Sequence, residues 1–364
     1  MTDTCDYSDF SQMGTAAEIP VYADENDGIV SCKLCHNNCV IKNGRFGSCG
    51  VRGNKSGRAI IPFYGFISSL AVDPIEKKPL YHFKPGSQIL SLGFTGCNLH
   101  CPFCQNWRIS QKTDIQGRYM KPGEIISSAL KYDTSSIAYT YSEPLVHIEF
   151  LLDCMALARR HGIANVLVTN GCINQHAAKE LLKLTDAANV DLKSFSDDTY
   201  KQLLGGDLQT TLNYIKLCYI MNVHLEITTL VVPQLNDSSR ELSEIADFIV
   251  SLDKKKIPWH LSAYHPEYRW NAPPTESGFL LNSAKEARKK LMYVYTGNIS
   301  AVNDTSCENC GEILVRRNGY RVNVFGEVSM QDTENKKNEN ISFPLLPGAR
   351  YKCGKCGKMS GIIC

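Results

Sequence analysis

The sequence predicts an α/β fold, a parallel sheet wrapped by helices with a small cysteine module on either side. Three observations carry that expectation. From Gln88 to about Gly297, short β-rich runs alternate with longer stretches whose apolar residues recur at three and four, as in strands joined by crossover helices. Eleven of the 16 cysteines fall into three clusters: one before the alternating region, one inside it and one after it. The unusual polar motifs of the alternating region all stand where a predicted strand ends.

In chain order, residues 1–30 carry seven acids (Asp3, Asp6, Asp9, Glu18, Asp24, Glu25 and Asp27) and no Lys or Arg, which predicts a flexible tail. Residues 31–87 form an N-terminal metal module and a basic lead-in. The module is Cys32-x2-Cys35-x3-Cys39-x9-Cys49, a four-thiol set for zinc or a second iron–sulfur cluster, with His36 as an alternative ligand. Nine basic residues in 31–88 face only Asp73 and Glu76, and they read as a solvated face rather than an anion-binding one.

Within 88–300 six strands are expected: Ile89–Phe94, Ser136–Tyr141, Asn165–Thr169, Ala188–Leu192, His224–Val232 and Trp259–Ala263. The helices between them are Pro122–Lys131, Val146–Arg160, His176–Leu184, Thr210–Met221 and Ser239–Leu252. Asp237-Ser238-Ser239 ahead of Glu241 caps the last of these. Residues 301–364 hold Cys307-x2-Cys310 and Cys353-x2-Cys356, each pair followed by glycine, which suits a four-thiolate zinc site. The 42 residues between the pairs exceed the usual interval of about 15–20, and the polar stretch Gln331–Asn340 accounts for the excess as a hairpin or loop insertion.

Cys97, Cys101 and Cys104 follow the first strand in Cys-x3-Cys-x2-Cys spacing. Offsets of four and three would align them on a helix, but Pro102 would break that helix, so a loop is expected. Iron–sulfur clusters ordinarily take four thiolates, and three leave one iron open for chemistry. The other strands end on Tyr141-Ser142-Glu143-Pro144, Thr169-Asn170-Gly171, Asp191-Leu192-Lys193, Val231-Val232-Pro233 and Ala263-Tyr264-His265-Pro266. All six ends therefore share the C-terminal rim of a parallel sheet, where such folds build function.

Other classes lose their anchors. No phosphate loop or dinucleotide fingerprint is present, and no apolar run is long enough to span a membrane. A cytoplasmic protein is expected, so clustered cysteines mean metal rather than disulfides. Cys5, Cys154, Cys172, Cys218 and Cys364 are left as buried or incidental thiols.

The triplet, with Phe103 before its last cysteine, resembles the cluster loop of the radical S-adenosylmethionine superfamily, and the order of the strand-end motifs resembles pyruvate formate-lyase-activating enzymes. Cys32-Lys33-Leu34-Cys35, the run Asp73–Phe83, Cys104-Gln105-Asn106-Trp107 and the terminal cysteine pairs are similar to the radical enzyme of the AmmeMemoRadiSam system. This likeness runs from about residue 30 to the end. It implies a partial parallel (β/α)6 barrel with a small N-terminal Cys module and a C-terminal zinc-ribbon-like module.

The resemblance also implies chemistry, that of an activating-enzyme-like oxidoreductase. Cys97, Cys101 and Cys104 would hold three irons of a 4Fe-4S cluster, and the fourth iron would take the amino and carboxylate groups of S-adenosylmethionine. Reductive cleavage would yield a 5′-deoxyadenosyl radical that abstracts hydrogen from a small molecule or a glycyl residue of a partner protein. By the same likeness the Ser142-Glu143 turn meets the methionine amino group, Asn170 the ribose region, Asp191 and Lys193 the ribose or carboxylate, and backbone at Phe103 the adenine. His265 lines the mouth. Implied partners are a one-electron donor such as flavodoxin or ferredoxin and the other AmmeMemoRadiSam proteins, with no membrane or nucleic acid.

Two departures stand out: Tyr141-Ser142 replaces the Gly-Gly common before Glu-Pro, and Val168 replaces the Asp usual before Thr-Asn-Gly, which argues against a bound monovalent cation there. The contrasting readings are an RNA-modifying radical enzyme and a non-enzymatic zinc-binding scaffold.

Overall fold

A computed structural model describes residues 22–111, 116–253, 256–329 and 349–364. Its centre is an eight-stranded sheet whose spatial order equals its chain order: β1 (Ser69–Pro74), β2 (Gln88–Gly93), β3 (Ser136–Thr140), β4 (Ala164–Thr169), β5 (Ala187–Asp191), β6 (His224–Val231), β7 (Trp259–Ala263) and β8 (Val294–Gly297). Strands β2 to β8 are parallel, and β1 runs antiparallel to β2. The connecting helices are α1 (Pro122–Lys131), α2 (Ile148–Arg160), α3 (Gln175–Leu182), α4 (Leu208–Ile220), α5 (Ser239–Asp253) and α6 (Ser277–Ala287). Strands such as β3 and β7 are buried at every position, as parallel strands covered on both faces must be.

All six expected strands and five expected helices are present. Two elements exceed the expectation at one end, α6 and the seventh parallel strand β8. Four residues ending at Gly297 are too few to display a period. At the other end β1 makes the sheet begin at residue 69, inside the stretch assigned to the lead-in. The cap of α5 is Ser238, whose Oγ accepts the Glu241 N–H at 3.2 Å. Glu241 does not close a capping box; it accepts hydrogen bonds from Ser194 Oγ and the Phe195 N–H.

The run from Asp73 to Phe83 leaves β1 and crosses beneath the barrel. There the backbone N–H groups of Tyr81 and His82 donate to the Glu226 carboxylate at 2.7–3.0 Å, and Asn189 Nδ2 donates to Pro79 O at 2.7 Å. His224 and His260 bind the same fully buried carboxylate. This stretch is the floor of the site.

The N-terminal portion corrects two expectations. The flexible-tail reading fails from Ala23 onward, because Ala23–Asn26 pairs with Ile29–Cys32 in a three-stranded sheet; residues 1–21 lie outside the described residues. Nor is the basic stretch wholly solvated. Lys33 and Arg58 pair with Asp24 and Glu25, and Lys77 and Lys78 both meet Asp73. Arg52 is 3% exposed and makes a bidentate bond to Glu149 of α2, both contacts 2.7 Å. Breaking such a pair strands a buried charge, so Arg52→Ala is expected to cost about 3–5 kcal/mol in urea unfolding.

The C-terminal module packs two three-stranded sheets around its own small core of Cys307, Leu314, Val315, Cys353 and Ile362. It is fastened to the barrel floor by Arg317 Nη2 donating to Tyr81 O at 2.6 Å and by backbone bonds joining Ile363 to His82 and Lys84. The stretch Gln331–Asn340, read as an insertion, lies outside the described residues.

Candidate active site

The cysteine triplet sits on a loop, as Pro102 predicts, and one helical turn (Trp107–Ser110) follows it. Gly96 opens the loop at φ +75°. A Cβ there would come within 2.4 Å of both Cys49 O and Val51 Cγ2, so glycine lets the N-terminal module rest directly on the loop. Asn98 Nδ2 donates to Cys172 O at 2.7 Å, and the His100 N–H donates to Leu204 O at 2.7 Å, tying the loop to the segments that follow β4 and β5.

Cys97, Cys101 and Cys104 line a pocket of about 310 Å³ together with Phe103, Ser142, Glu143, Asn170, Asp191 and Lys193. The cluster cysteines and the six residues expected to meet the cofactor thus line one space, brought there by the ends of β2, β3, β4 and β5. Burial pushes the Cys101 thiol up to about 12 and the Cys97 thiol well above its usual value, with Glu143 adding to the latter. Such thiols ionise readily only when a metal takes them, which suits a ligand set.

Glu143 is the brace of the rim. Its Oε1 accepts from Thr169 Oγ1 at 2.7 Å and the Leu145 N–H at 3.1 Å, and its Oε2 accepts from the Asn170 N–H at 2.9 Å. A carboxylate offers about four lone-pair sites, so one remains for a cationic group. Burial pushes its carboxyl up to about 7 against the opposing pull of these bonds. Because the folded protein then holds this proton to higher pH than the unfolded chain, whose value is 4.5, the contribution favours folding below 4.5 and fades as pH rises through 7. The unfolding free energy of the ligand-free protein, read from urea titrations, should fall relative to that of Glu143→Gln across that window, by about 3 kcal/mol in total.

Lys193 Nζ lies 2.9 Å from Asp191 Oδ2. Burial works against its charge, but Asp191 and the neighbouring Cys101 outweigh it and hold the ammonium ionised beside the thiols. Asn170 Nδ2 donates to Asn98 Oδ1 at 2.9 Å and reaches Cys97 Sγ at 3.7 Å, so in this structure its amide positions the cluster loop. Tyr141 adopts φ +72°, the left-handed conformation that Gly-Gly would take without strain, at a cost of about 1–2 kcal/mol. Its hydroxyl is spent on Asp73, and Lys78 lies 4.4 Å above its ring.

Two hydroxyls lining the pocket, Ser142 Oγ and Thr228 Oγ1, are buried without a hydrogen-bond partner among the described residues. Together with three thiols, one free lone pair on Glu143 and a Lys–Asp pair, they fit a cluster held by three cysteines beside a ligand bearing amino, carboxylate and hydroxyl groups. Thr228 was missed in the sequence, although it shares the inward face of β6 with Glu226 and Leu230 at period two. Asn298 and Ser262 also line the pocket, and no motif marked them.

His265 stands exposed at the rim, bonded through Nδ1 to Gln105 Nε2 at 3.1 Å, and does not line the pocket. His36 Nε2 is engaged with Gly205 O at 2.9 Å. In the C-terminal module the sulfurs of Cys307, Cys310, Cys353 and Cys356 all lie within 4.8 Å of one another, with Cys307–Cys356 and Cys310–Cys353 at 3.6 Å. A tetrahedral ion about 2.3 Å from each sulfur requires spacings of about 3.8 Å, so this set could close around one metal. Cys32, Cys35, Cys39 and Cys49 gather in one neighbourhood, yet among the described residues only the C-terminal four draw that tightly together.

The Radical SAM superfamily pattern matches residues 92–249, the span from β2 into α5 that carries the triplet and its facing strand ends. Pyruvate formate-lyase-activating enzyme of Staphylococcus aureus (strain USA300) is 30% identical over 189 residues, covering 47% of this chain and 74% of the relative. This chain belongs to the radical SAM superfamily. Uncharacterized protein MJ0808 of Methanocaldococcus jannaschii is 38% identical over 314 residues, 85% of this chain and 93% of the relative, so that likeness extends well beyond the 92–249 span. Among solved structures, Streptococcus suis SuiB bound to S-adenosylmethionine is 16% identical with a TM-score of 0.47, covering 62% of this chain and 53% of that one. This radical SAM enzyme has no helix, among its described residues, long and apolar enough to cross a membrane.

Proposed function

We propose that the protein binds a 4Fe-4S cluster through Cys97, Cys101 and Cys104, takes S-adenosylmethionine beside it, and uses reductive cleavage to abstract hydrogen from a substrate. The observation that carries this reading is the convergence of three buried thiols, the Glu143 brace, the Asp191–Lys193 pair and two orphaned hydroxyls on one pocket of about 310 Å³. When bound, the cluster supplies the electron that splits the sulfonium into methionine and a 5′-deoxyadenosyl radical.

The chain's own part is to bind, orient and enclose. Glu143, anchored by Thr169, Leu145 and Asn170, turns its remaining lone pair toward an ammonium, and Ser142 Oγ stands next to it unsatisfied. Lys193 offers a fixed positive charge to a carboxylate, with Asp191 fixing its direction. Pro79 in the floor, with Leu99 and Phe103 on the loop side, gives the pocket apolar walls that would shield a reactive carbon species from quenching. A one-electron donor of the flavodoxin or ferredoxin class, a C-terminal zinc ion and a metal of either kind on the N-terminal cysteines belong to the same reading.

The test is anaerobic reconstitution with iron and sulfide, followed by reduction with S-adenosylmethionine present. Formation of 5′-deoxyadenosine and methionine is expected. A fully loaded cluster that leaves S-adenosylmethionine intact would sink the proposal.

A further inference from the structure

We infer that the substrate is a small polar molecule carrying a carboxylate or phosphate group, held between the open side of the barrel and the C-terminal module. The inference rests on the radical reading above and adds the substrate class. The sheet does not close on itself, since β1 and β8 are its two edges. Over that gap stand the Glu76–Tyr81 stretch and the hairpin Arg316–Tyr320 of the C-terminal module, enclosing a cavity of about 1030 Å³. Lys77, Pro79, Ser262 and Asn298 line both this cavity and the cluster pocket, so the two spaces are adjacent. The volume is at the upper end of the range for small-molecule sites, about 300–1,000 Å³.

A polypeptide substrate would find little to hold. Its simplest recognition is to add a strand to a free sheet edge, and β8 is the edge whose Thr296 and Gly297 line the cavity. Here three outward backbone groups of β8 are already engaged. The Thr296 N–H donates to Asn303 Oδ1 at 3.0 Å, Asn303 Nδ2 donates back to Thr296 O at 2.8 Å, and Arg288 Nη2 donates to Val294 O at 2.7 Å. Side chains have blunted the edge against pairing.

Charge decides the class of small molecule. The cavity lining holds three cations, Lys77, Arg316 and Arg317, against two acids, Glu76 and Asp304; Lys77 and Arg316 are 46% and 54% exposed, and each is paired on one side, Lys77 with Asp73 at 2.8 Å and Arg316 Nε with Asp304 Oδ2 at 3.4 Å. The acids are already engaged: Glu76 is fully buried and bonded to the Gly86 N–H, and Asp304, 18% exposed, accepts the Arg317 N–H through one oxygen and pairs with Arg316 through the other. A ligand entering the cavity therefore meets a lining with one cation in excess, and an oxyanion makes charge-assisted hydrogen bonds with the N–H groups of Lys77 and Arg316 that their acids leave open.

The test supplies holoenzyme, S-adenosylmethionine and reductant with extract from cells grown in deuterated medium, divided by a peptide-excluding filter and then by an anion exchanger. Deuterium should enter 5′-deoxyadenosine from the filtrate, and within it from the retained, anionic fraction. Loss of transfer after phosphatase treatment assigns a phosphate, and survival assigns a carboxylate. The same fraction, without reductant, should slow hydrogen exchange at residues 298–304 and 316–320. Arg316→Glu should lower the share of cleaved S-adenosylmethionine that carries deuterium about tenfold, whereas Arg321→Glu, on the same hairpin but outside the cavity, should leave that share unchanged. Deuterium arriving from the polypeptide fraction or the unretained filtrate, or an Arg316→Glu protein coupling as well as wild type, overturns the inference. A loaded protein that never cleaves S-adenosylmethionine fails earlier, at the radical reading itself.

Discussion

Cys101→Ala is expected to abolish 5′-deoxyadenosine formation and to strip iron from the reconstituted protein. Among the described residues Cys101 is one of three thiols facing the pocket, and it is 7% exposed with the Lys193 ammonium as its electrostatic neighbour. Cluster ligation ordinarily uses four thiolates. A site that starts with three has no spare, and alanine leaves two sulfurs unable to hold the cluster against solvent or to keep its open iron facing the pocket. Product chromatography together with iron and sulfide content measures the loss. Cys154→Ala is the comparison, because Cys154 is fully buried beside Tyr139 and away from the pocket, so its replacement should retain the iron. Wild-type cleavage by the Cys101 variant would remove the triplet from the chemistry.

Cys353→Ala should release the C-terminal module's metal and unfold that module while the barrel stays folded. The module's core has five buried residues, and two of them, Cys307 and Cys353, are themselves part of the four-thiol set. A core so small cannot offset the entropy of ordering the chain around it. A closed thiolate site supplies the deficit, with apparent binding energies on the order of 10 kcal/mol for structural zinc. The expected signature is loss of bound metal together with rapid proteolysis beyond about residue 305, with the region before it resistant. A variant that keeps a protease-resistant C-terminus without metal would show that the module's strands and its bonds to Tyr81, His82 and Lys84 hold it unaided. The consequence reaches the cavity, since Arg316 and its hairpin form one wall of it.

Much of the site was legible because local patterns carry it. A strand written as a short apolar run ends where polar residues begin, and in a parallel sheet those ends share a rim, so Ser142, Glu143, Asn170, Asp191 and Lys193 could be placed near the triplet without coordinates. Partners across long sequence separations were not legible. Arg52 read as one more solvated cation, yet it is locked to Glu149, 97 residues away. Glu226 looked like an ordinary residue of a strand, but it fastens the barrel floor through two backbone N–H groups 144 and 145 residues distant. Asn170 was matched to the ribose by resemblance, whereas here its amide is committed to Asn98.

The sequence by itself determined the order of strands and helices, the loop conformation of the triplet and the pairing of four C-terminal thiols, because each depends on spacing within a few residues or on a repeated knuckle. Only the tertiary structure decided which side of the barrel stays open, what covers it, and which charges face the space beneath. Those depend on where β8, the Glu76–Tyr81 stretch and the hairpin at Arg316 meet. Such contacts are set by packing between distant segments, whose energies no local pattern records.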